Sequence, residues 1–213
     1  MKITPMTFNP FGEYTYVLWH EEGMEAYVVD PGMMDDFENG IFASFIDSHN
    51  LKLTKVLLTH LHIDHVMGAQ WVANKYNASI EYNSKDDILS QRLSDQATMF
   101  GLNISIDKLN ADANLKEGDV LTLNGEPINV LETPGHSLGS LSFYIPQSEK
   151  LLSGDVLFSM SIGRTDLPGG NYDQLINTIN EKIMTLPAGT VIYPGHGDCT
   201  TVKDEKMYNP FLK

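Results

Sequence analysis

Four candidate metal ligands lie close together in the stretch LLTHLHIDHVMGA, residues 57–69 of a 213-residue chain. His60, His62, Asp64 and His65 fall within six residues, although the whole chain has only seven histidines. Side chains two apart on an extended segment point the same way, so His60 and His62 can offer their imidazoles to one ion, with Asp64 further along. His65 falls at the expected start of a helix and faces elsewhere, where it can serve a second ion beside Asp64.

Three further candidate ligands lie in loops that follow apolar stretches. His136 lies in TPGHSLGS after INVLE, and His196 lies in IYPGHGDCT after TVIY. Asp155 ends the apolar part of LLSGDVLF, where an unpaired buried carboxylate would be costly. Small neighbours let the backbone approach an ion, and strand ends are where α/β sheets place their sites. Because five of the seven histidines are used in this way, a merely solvated polar loop no longer explains LLTHLHIDHVMGA.

Hydrophobic periodicity indicates the elements that must position these ligands in the first half of the chain. The predicted elements are a β-hairpin of residues 15–20 and 26–30 around EEGME, an amphipathic helix over 35–49 with the stripe Phe37, Ile41, Phe45 and Ile46, a strand over 55–59, a helix over 66–76, and helical pieces with surface loops over 84–110. The strand KVLLT is wholly apolar, which is typical of burial on both faces, and it leads into the histidine cluster.

The second half of the chain repeats the order of strands, helix, strand and histidine. Asn-Gly at the centre of DVLTLNGEPINVLET is the strongest short hairpin signal. The other predicted elements are strands over 140–146, 150–155 and TVIY, and an amphipathic helix over 172–186. We therefore expect two similar halves around one core in a single α/β domain of residues 1–213, with sheets sandwiched between helices.

Composition limits the partners and the compartment. The 28 acidic and 14 basic residues give a net charge of −14, which repels phosphate backbones and anionic lipids. We therefore expect neither nucleic acid nor a membrane as a partner, although two divalent cations would place a local charge of +4 that can attract an anionic substrate. The start MKITPMTFNPFGEY has no apolar signal-peptide core, and a single cysteine, Cys199, suits a reducing compartment. The expected localisation is the cytoplasm.

The motifs T-H-x-H-x-D-H, a glycine-flanked histidine, S-G-D and P-G-H-G, in this order, resemble those of the metallo-β-lactamase superfamily. LLTHLHIDHVMGA, ETPGHSLGSL, LLSGDVLF, GRTDLPGG and YPGHGDCTT…NPF are most similar to the glyoxalase II (hydroxyacylglutathione hydrolase) branch, in its short single-domain bacterial form. The resemblance covers nearly the whole chain. It implies an α/β fold that is a four-layer αββα sandwich, with two similar halves and the metal site at strand ends.

The resemblance also implies a dinuclear metal site. Its ligands would be His60, His62 and His136 for one ion, Asp64, His65 and His196 for the other, and Asp155 as the bridge. Nitrogen and carboxylate donors suit zinc, and also iron or manganese. Two such ions supply a hydroxide nucleophile near neutral pH for attack on an ester or thioester carbonyl. Asp64 is the candidate catalytic residue, because its carboxylate can orient that nucleophile or shuttle its proton.

The expected activity is hydrolysis of a small-molecule thioester of the S-lactoylglutathione type, with two divalent ions per chain. A thiolate leaves with little protonation, which fits a site without an evident general acid. Persulfide dioxygenases are the first alternative, since they share the scaffold and a similar GRTD loop but use one iron. A lactonase or other ester hydrolase is a further alternative. A non-catalytic metal-stabilised binding protein ranks last, because structural zinc sites are closed and mononuclear.

Other polar residues have structural expectations. Asp30 in DPG is expected to be a buried carboxylate hydrogen-bonded to nearby loops rather than a ligand, and His20 and His49 are expected at the surface or in packing. Arg164 and Asp166 in GRTD are expected to pair and brace their loop, with contact between Arg164 and substrate left open.

Cys199 and the residues around it differ from the related families. This cysteine follows GHGD where the short bacterial proteins often have proline in GHGP, and it is expected to be an incidental thiol or a small filler rather than a ligand. Glyoxalase II proper also has a helical segment after its last metal histidine that contacts glutathione. Those contact residues cannot be matched onto the seventeen residues that follow His196.

Overall fold

The computed structural model describes Met1–Lys213, and the chain divides into two compact units, Met1–Asn114 and Leu115–Lys213. Each unit has its own six-stranded mixed sheet and its own helices. The expectation of two similar α/β halves agrees with this division, whereas a single domain over residues 1–213 stays a prediction. None of the helices has the length and apolar character that crossing a membrane requires.

The first unit is built on a sheet that changes from antiparallel to parallel. In spatial order its strands are β1 (Lys2–Phe8), β2 (Glu13–Trp19), β3 (Glu25–Val29), β4 (Lys52–Leu57), β5 (Ser79–Tyr82) and β6 (Ala113–Asn114). Strands β1 to β3 are antiparallel, and β3 to β6 are parallel. Its helices are α1 (Asp36–Ser48), α2 (Ile63–Val66), α3 (Ala69–Tyr76), α4 (Asp87–Ser90) and α5 (Leu93–Met99), with a short 3-10 helix at Ser84–Asp86.

The predicted hairpin and first helix are confirmed, but the face that the helix buries differs. The side chain of Asp35 caps α1 by accepting a hydrogen bond from the N–H of Glu38. Phe42 and Ile46 are the buried residues of α1. Phe37 was expected in the apolar stripe, but 75% of it is exposed, and Ile41 is 44% exposed. The expected stripe is therefore wrong at its start, because α1 packs through a face one residue away from Ile41.

The region after β4 differs from the prediction in two ways, in the division of its first helix and in its burial. The helix expected over residues 66–76 is split into α2 and α3 at Gly68, where a Cβ would lie 2.8 Å from Cε of Met33 and 3.0 Å from the carbonyl oxygen of Pro31. The helical pieces expected over residues 84–110 are present, and this region, where surface loops were also expected, contributes to the core. The residues of this region that join the buried cluster are Leu89, Leu93, Ala97 and Leu109.

The second unit is built on a mostly antiparallel sheet. In chain order its strands are β7 (Val120–Leu123), β8 (Glu126–Glu132), β9 (Leu141–Ile145), β10 (Lys150–Gly154), the small hairpin β11 (Leu157–Phe158) and β12 (Ser161–Ile162), then β13 (Val191–Pro194) and β14 (Thr200–Thr201). The sheet order is β14-β13-β10-β9-β8-β7, with β10 and β13 parallel and the other pairs antiparallel.

The helices of this unit are α6 (Tyr172–Thr178), which continues as a π-helical segment at Ile179–Ile183, and α7 (Val202–Tyr208), with a 3-10 helix at Pro146–Ser148. The predicted Asn-Gly turn is confirmed between β7 and β8. Asn124 and Gly125 both have positive φ, +49° and +85°, as this two-residue hairpin turn requires.

Candidate metal centre

The candidate ligands of the first unit follow β4, and the supporting residue Asp30 follows the neighbouring parallel strand β3. β3 ends directly before Asp30, and β4 ends shortly before His60. The backbone N–H of Asp30 donates to the carbonyl of Leu57 at 3.0 Å, which holds the two strand ends together. Because carboxyl ends of parallel strands meet at one edge of a sheet, both loops start from the same place.

The first unit brings its four predicted ligands together. The ring centroid of His60 lies 4.7 Å from that of His62 and 4.2 Å from that of His65. The carboxylate Oδ2 of Asp64 lies 3.7 Å from Nε2 of His65. All three imidazoles are buried, and the Asp64 side chain is 15% exposed. Three imidazoles and a carboxylate, largely removed from water, form a donor set of the type that divalent transition metals bind.

Asp30 is the residue that organises this cluster. Its Oδ1 accepts a hydrogen bond from the N–H of Thr59 at 2.7 Å, and its Oδ2 accepts from the Thr59 hydroxyl at 2.6 Å and faces Nδ1 of His65 at 3.0 Å. Atoms of Asp30, His60 and His65 lie within 4.8 Å of one another, a spacing that a metal could use. Since both carboxylate oxygens are already occupied by hydrogen bonds, we assign Asp30 to support and not to coordination, as the sequence predicts.

The hydrogen bonds around Asp30 also fix the histidine tautomers. Nδ1 of His65 carries the proton that Asp30 accepts, so its Nε2 is unprotonated. The Thr59 hydroxyl donates its proton to Asp30 and therefore accepts from Nδ1 of His60, 3.0 Å away. Nε2 of His60 is then unprotonated as well. One buried carboxylate thus prepares two imidazoles for a metal, which is the usual role of such supporting groups.

Gln96 and Asp86, which no sequence motif indicates, hold the backbone on both sides of His62. Gln96 on α5 accepts a hydrogen bond from the N–H of Ile63 at 3.0 Å and donates to the carbonyls of Leu61 and Leu89 at 3.2 Å each. Asp86 accepts from the N–H of Leu61 at 3.2 Å. The peptide groups on both sides of His62 are therefore fixed by residues from the region of helical pieces and loops over residues 84–110.

We expect Gln96→Glu to weaken metal binding. The new carboxylate can still accept from Ile63, but it places an oxygen against the carbonyls of Leu61 and Leu89. Supporting residues of metal sites typically contribute about 10- to 100-fold to affinity, so a loss of about 10-fold is expected. Competition with a chromophoric chelator measures it, and Gln70→Glu on the exposed face of α3 is the matched control. Equal affinity in wild type and Gln96→Glu would contradict this role.

Asn9 and Glu13 lie beneath the same loop. Nδ2 of Asn9 donates to the backbone carbonyls of Asp64 and Gly32 at 3.0 Å each. A Cβ at Gly32 would overlap both the Glu13 carboxylate and the Asp64 carbonyl, so only glycine fits there. Burial raises the pKa of Glu13 well above its usual value, His65 opposes this shift, and the charges of Asp30 and Asp64 add to it.

The second unit uses a pair of parallel strands in the same way. β10 ends directly before Asp155, β13 ends shortly before His196, and the N–H of Gly195 donates to the carbonyl of Gly154 at 2.9 Å. Oδ2 of Asp155 lies 3.7 Å from Nε2 of His136 and 3.7 Å from Nε2 of His196. The two predicted imidazole ligands of this unit therefore both lie close to one oxygen of the third ligand, the Asp155 carboxylate.

His136 is oriented by the backbone of the GRTD loop. Its Nδ1 lies 2.8 Å from the carbonyl oxygen of Arg164, which places the proton on Nδ1 and leaves Nε2 unprotonated. Gly163 makes this approach possible, since a Cβ there would lie 3.2 Å from Nδ1 of His136 and would overlap the carbonyl of Asp155. The loop is braced by a bidentate pair between Arg164 and Asp166, with both N–O distances 2.7 Å. The prediction that these two residues pair is confirmed, and the Arg164 guanidinium lowers the pKa of Asp166 to about 2.

Cys199, His49 and His20 lie at the surface or in packing, as expected. Cys199 is exposed and free, and desolvation together with Asp198 raises the pKa of its thiol, which disfavours the thiolate that metals bind. His49 packs its ring against Phe45 at 4.3 Å and Trp19 at 4.9 Å. His20 is partly exposed at the end of β2.

A model of the metallo-β-lactamase superfamily matches residues 8–196, and the chain belongs to this family. The predicted fold class is thereby confirmed as the α/β metallo-β-lactamase fold. Membership makes the chain, in general terms, a metal-dependent hydrolase, and together with the histidine and aspartate clusters it implies divalent metal ions.

Particular relatives give finer comparisons. Hydroxyacylglutathione hydrolase GloC of Haemophilus influenzae is 36% identical over 214 residues, which cover 100% of this chain and 97% of that protein. The crystal structure of BLEG-1 B3 metallo-β-lactamase has a TM-score of 0.89 at 34% identity and covers 100% of both chains. The crystal structure of TTHA1623 in a di-iron-bound form has a TM-score of 0.86 at 33% identity, covering 98% of this chain and 100% of that one.

Proposed function

We propose that this protein hydrolyses a small-molecule thioester of the S-lactoylglutathione type with the help of two divalent metal ions. The observation that carries the metal-dependent part is the set of hydrogen bonds that place the proton of His60, His65 and His136 on Nδ1, so that Nε2 of each ring is the unprotonated, metal-binding nitrogen. The thioester part is supported by the glyoxalase II-like motifs and by the similarity to GloC. Within the family, the proposal places the chain in the short bacterial glyoxalase II-like branch.

The proposed ligands follow the family motif. They are His60, His62 and His136 for one ion, Asp64, His65 and His196 for the second, and Asp155 as the bridge. Each unit, taken by itself, supports this assignment, because it brings its own candidates together in loops that follow strands of its sheet. Five imidazoles and two carboxylates suit zinc first, while iron suits the same donors. The di-iron form of TTHA1623 makes iron the first alternative to test.

When bound, two divalent ions would lower the pKa of water from 15.7 to about 7 and so would supply a nucleophile at neutral pH. Asp64 is the side chain placed to orient that nucleophile and to take its proton. Its carboxylate is 15% exposed and lies 3.7 Å from Nε2 of His65, while Asn9 fixes its backbone carbonyl. A thiolate leaving group needs no strong general acid, because its pKa of about 8.5 lets it depart with little protonation.

The proposed setting is the cytoplasm, which the single cysteine suits, and the proposed partner is a small-molecule substrate rather than nucleic acid or a membrane. The net charge of −14 supports the choice of partner, since nucleic acid and anionic membranes are repelled by such a surface. An anionic thioester would be attracted by the local charge of the two cations instead.

Metal analysis combined with a substrate panel tests the proposal. The protein is purified, its metals are counted per chain, and hydrolysis is followed for S-lactoylglutathione, a simple acyl thioester, a lactone and a cephalosporin. Oxygen uptake with a glutathione persulfide is measured in parallel. We expect two metals per chain, thioester cleavage above the other substrates, and no oxygen uptake.

Each other outcome identifies a different function. One iron per chain with oxygen uptake on the persulfide would establish the dioxygenase alternative. Preferred cleavage of the lactone or the cephalosporin would replace thioester hydrolysis by another metal-dependent hydrolysis. Metal binding without turnover of any substrate would favour the binding protein.

A further inference from the structure

The small hairpin of β11 and β12 is connected to all three candidate ligands of the second unit, through the chain on both sides of it and through one aromatic ring. It begins just after Asp155, and the N–H of Gly163 at its end donates to the carbonyl of Val156 at 3.2 Å. Its Phe158 ring lies 6.3 Å from the ring of His196 at an interplanar angle of 74°. The chain then continues into Arg164, whose carbonyl holds His136. The position of this hairpin therefore affects both imidazoles.

The turn of the hairpin does not hold itself in place. Met160 adopts φ = +60°, a left-handed conformation that is unfavourable for a residue with a Cβ. Its side chain is 45% exposed, so burial of that side chain does not offset the unfavourable conformation. Two residues separate β11 from β12, and each strand has only two residues. Contacts from outside the hairpin have to fix such a short element.

Glu205 on α7 provides those contacts. It is fully buried, and both of its carboxylate oxygens lie 3.1 Å from the N–H of Met160. The Thr200 hydroxyl donates to Glu205 at 2.6 Å, and Nδ2 of Asn209 donates at 2.7 Å. Nδ2 of Asn209 also donates to the carbonyl of Ser161 at 3.1 Å, so the turn is held at two successive residues. Hydrogen bonds to a charged acceptor are stronger than those between neutral groups.

We propose that Glu205 is a positioning residue for the metal centre, acting through the β11–β12 hairpin. Its carboxylate holds the turn at Met160, and the hairpin in turn holds Phe158 against His196 and the Arg164 carbonyl against His136. This inference rests on the proposed function, because it assumes that the two histidines are metal ligands. A merely structural Glu205 would affect stability and leave the metal affinity of the folded protein unchanged.

Metal affinity of the purified protein distinguishes the two roles. Glu205→Gln keeps the size of the side chain but replaces one acceptor oxygen by an NH2 group. Because this NH2 group cannot accept a hydrogen bond, the contact with Met160 or the contact with Asn209 is lost. Thr200→Val removes one donor and leaves the carboxylate in place, which makes it the milder variant of the same cluster. Glu126→Gln is the matched control, because Glu126 is another buried glutamate of this unit and accepts from the Ser148 hydroxyl at 3.3 Å. Zinc affinity is measured by chelator competition, and the visible spectrum of the cobalt-loaded protein reports ligand geometry.

We expect about 10-fold weaker zinc binding and a changed cobalt spectrum in Glu205→Gln. Thr200→Val should shift both in the same direction by less, and it decides the matter if Glu205→Gln does not fold. Glu126→Gln should keep the wild-type affinity even if its melting temperature falls. Wild-type affinity in Glu205→Gln or, where that variant does not fold, in Thr200→Val would overturn the positioning role, and so would an equal loss in Glu126→Gln. A wild-type protein that binds no metal would instead overturn the proposed metal centre.

Discussion

Asp155→Asn is expected to abolish hydrolysis and to lower the metal content from two ions per chain to one or fewer. Asp155 is the only candidate ligand whose carboxylate oxygen is equidistant, at 3.7 Å, from two candidate imidazoles of its unit. An amide has no negative charge to share between two cations. Because a metal contributes several kcal/mol of transition-state stabilisation and each 1.4 kcal/mol is tenfold in rate, kcat/KM should fall by about 10³-fold or more.

The measurement is thioester hydrolysis together with metal analysis of the same sample. Asp173→Asn, on the exposed side of α6, is the control for neutralising an aspartate of the second unit. It should keep both the metals and the rate. His62→Ala should behave like Asp155→Asn, because it removes a proposed ligand of one ion. Two metals and wild-type turnover in Asp155→Asn would exclude this residue as a ligand.

Local sequence signals predict much of the fold that positions the ligands. The Asn124-Gly125 turn, the helix over residues 35–49 and the apolar strand before His60 are indicated by residues that lie within those elements. The candidate ligands could be found for the same reason, since spacing and glycine-rich flanks are local. The parallel pairing of β10 with β13 brings Asp155 and His196 together, and that of β3 with β4 brings Asp30 to the histidine cluster.

The supporting residues could not be found in this way, because their partners are distant in sequence. Gln96 lies 33 residues from Ile63, and Glu205 lies 45 residues from Met160. Neither has a motif around it, and a buried polar side chain on a short helix looks like an exposed one until the packing is known. The predicted apolar stripe of α1 is wrong at its start for a related reason. Phe37 is apolar, but the side of α1 on which it lies is exposed in the folded protein.

Asp30→Asn is expected to block metal binding through a change of histidine tautomers. The backbone N–H of Thr59 still needs an acceptor. The amide oxygen of Asn therefore takes the position of Oδ1, and its NH2 group points toward His65. Nδ1 of His65 then has to accept, so its proton moves to Nε2. The Thr59 hydroxyl also loses its acceptor and can donate to Nδ1 of His60, which places a proton on Nε2 of that ring too. Both lone pairs needed for coordination are lost.

A comparison with Asp30→Ala separates this effect from simple destabilisation. Alanine leaves the Thr59 N–H, the Thr59 hydroxyl and His65 Nδ1 without their acceptor, and buried unsatisfied groups cost about 1–3 kcal/mol each. The alanine variant should therefore lose more stability than the asparagine variant, by at least about 1 kcal/mol in chemical denaturation. It leaves both rings free to adopt the metal-binding tautomer, however, so it should retain more metal.

Opposite orders of stability and metal content in the two variants would therefore show that Asp30 acts on the tautomers. Nitrogen-detected NMR of the histidine rings measures the tautomers directly, and Asp112→Asn is a suitable control. Asp112 is exposed and accepts from the N–H of Ile80 at 2.8 Å, which an asparagine oxygen can still do. If Asp30→Ala instead lost metal at least as completely as Asp30→Asn, the carboxylate would act by holding the loop in place, and the tautomer argument would be wrong.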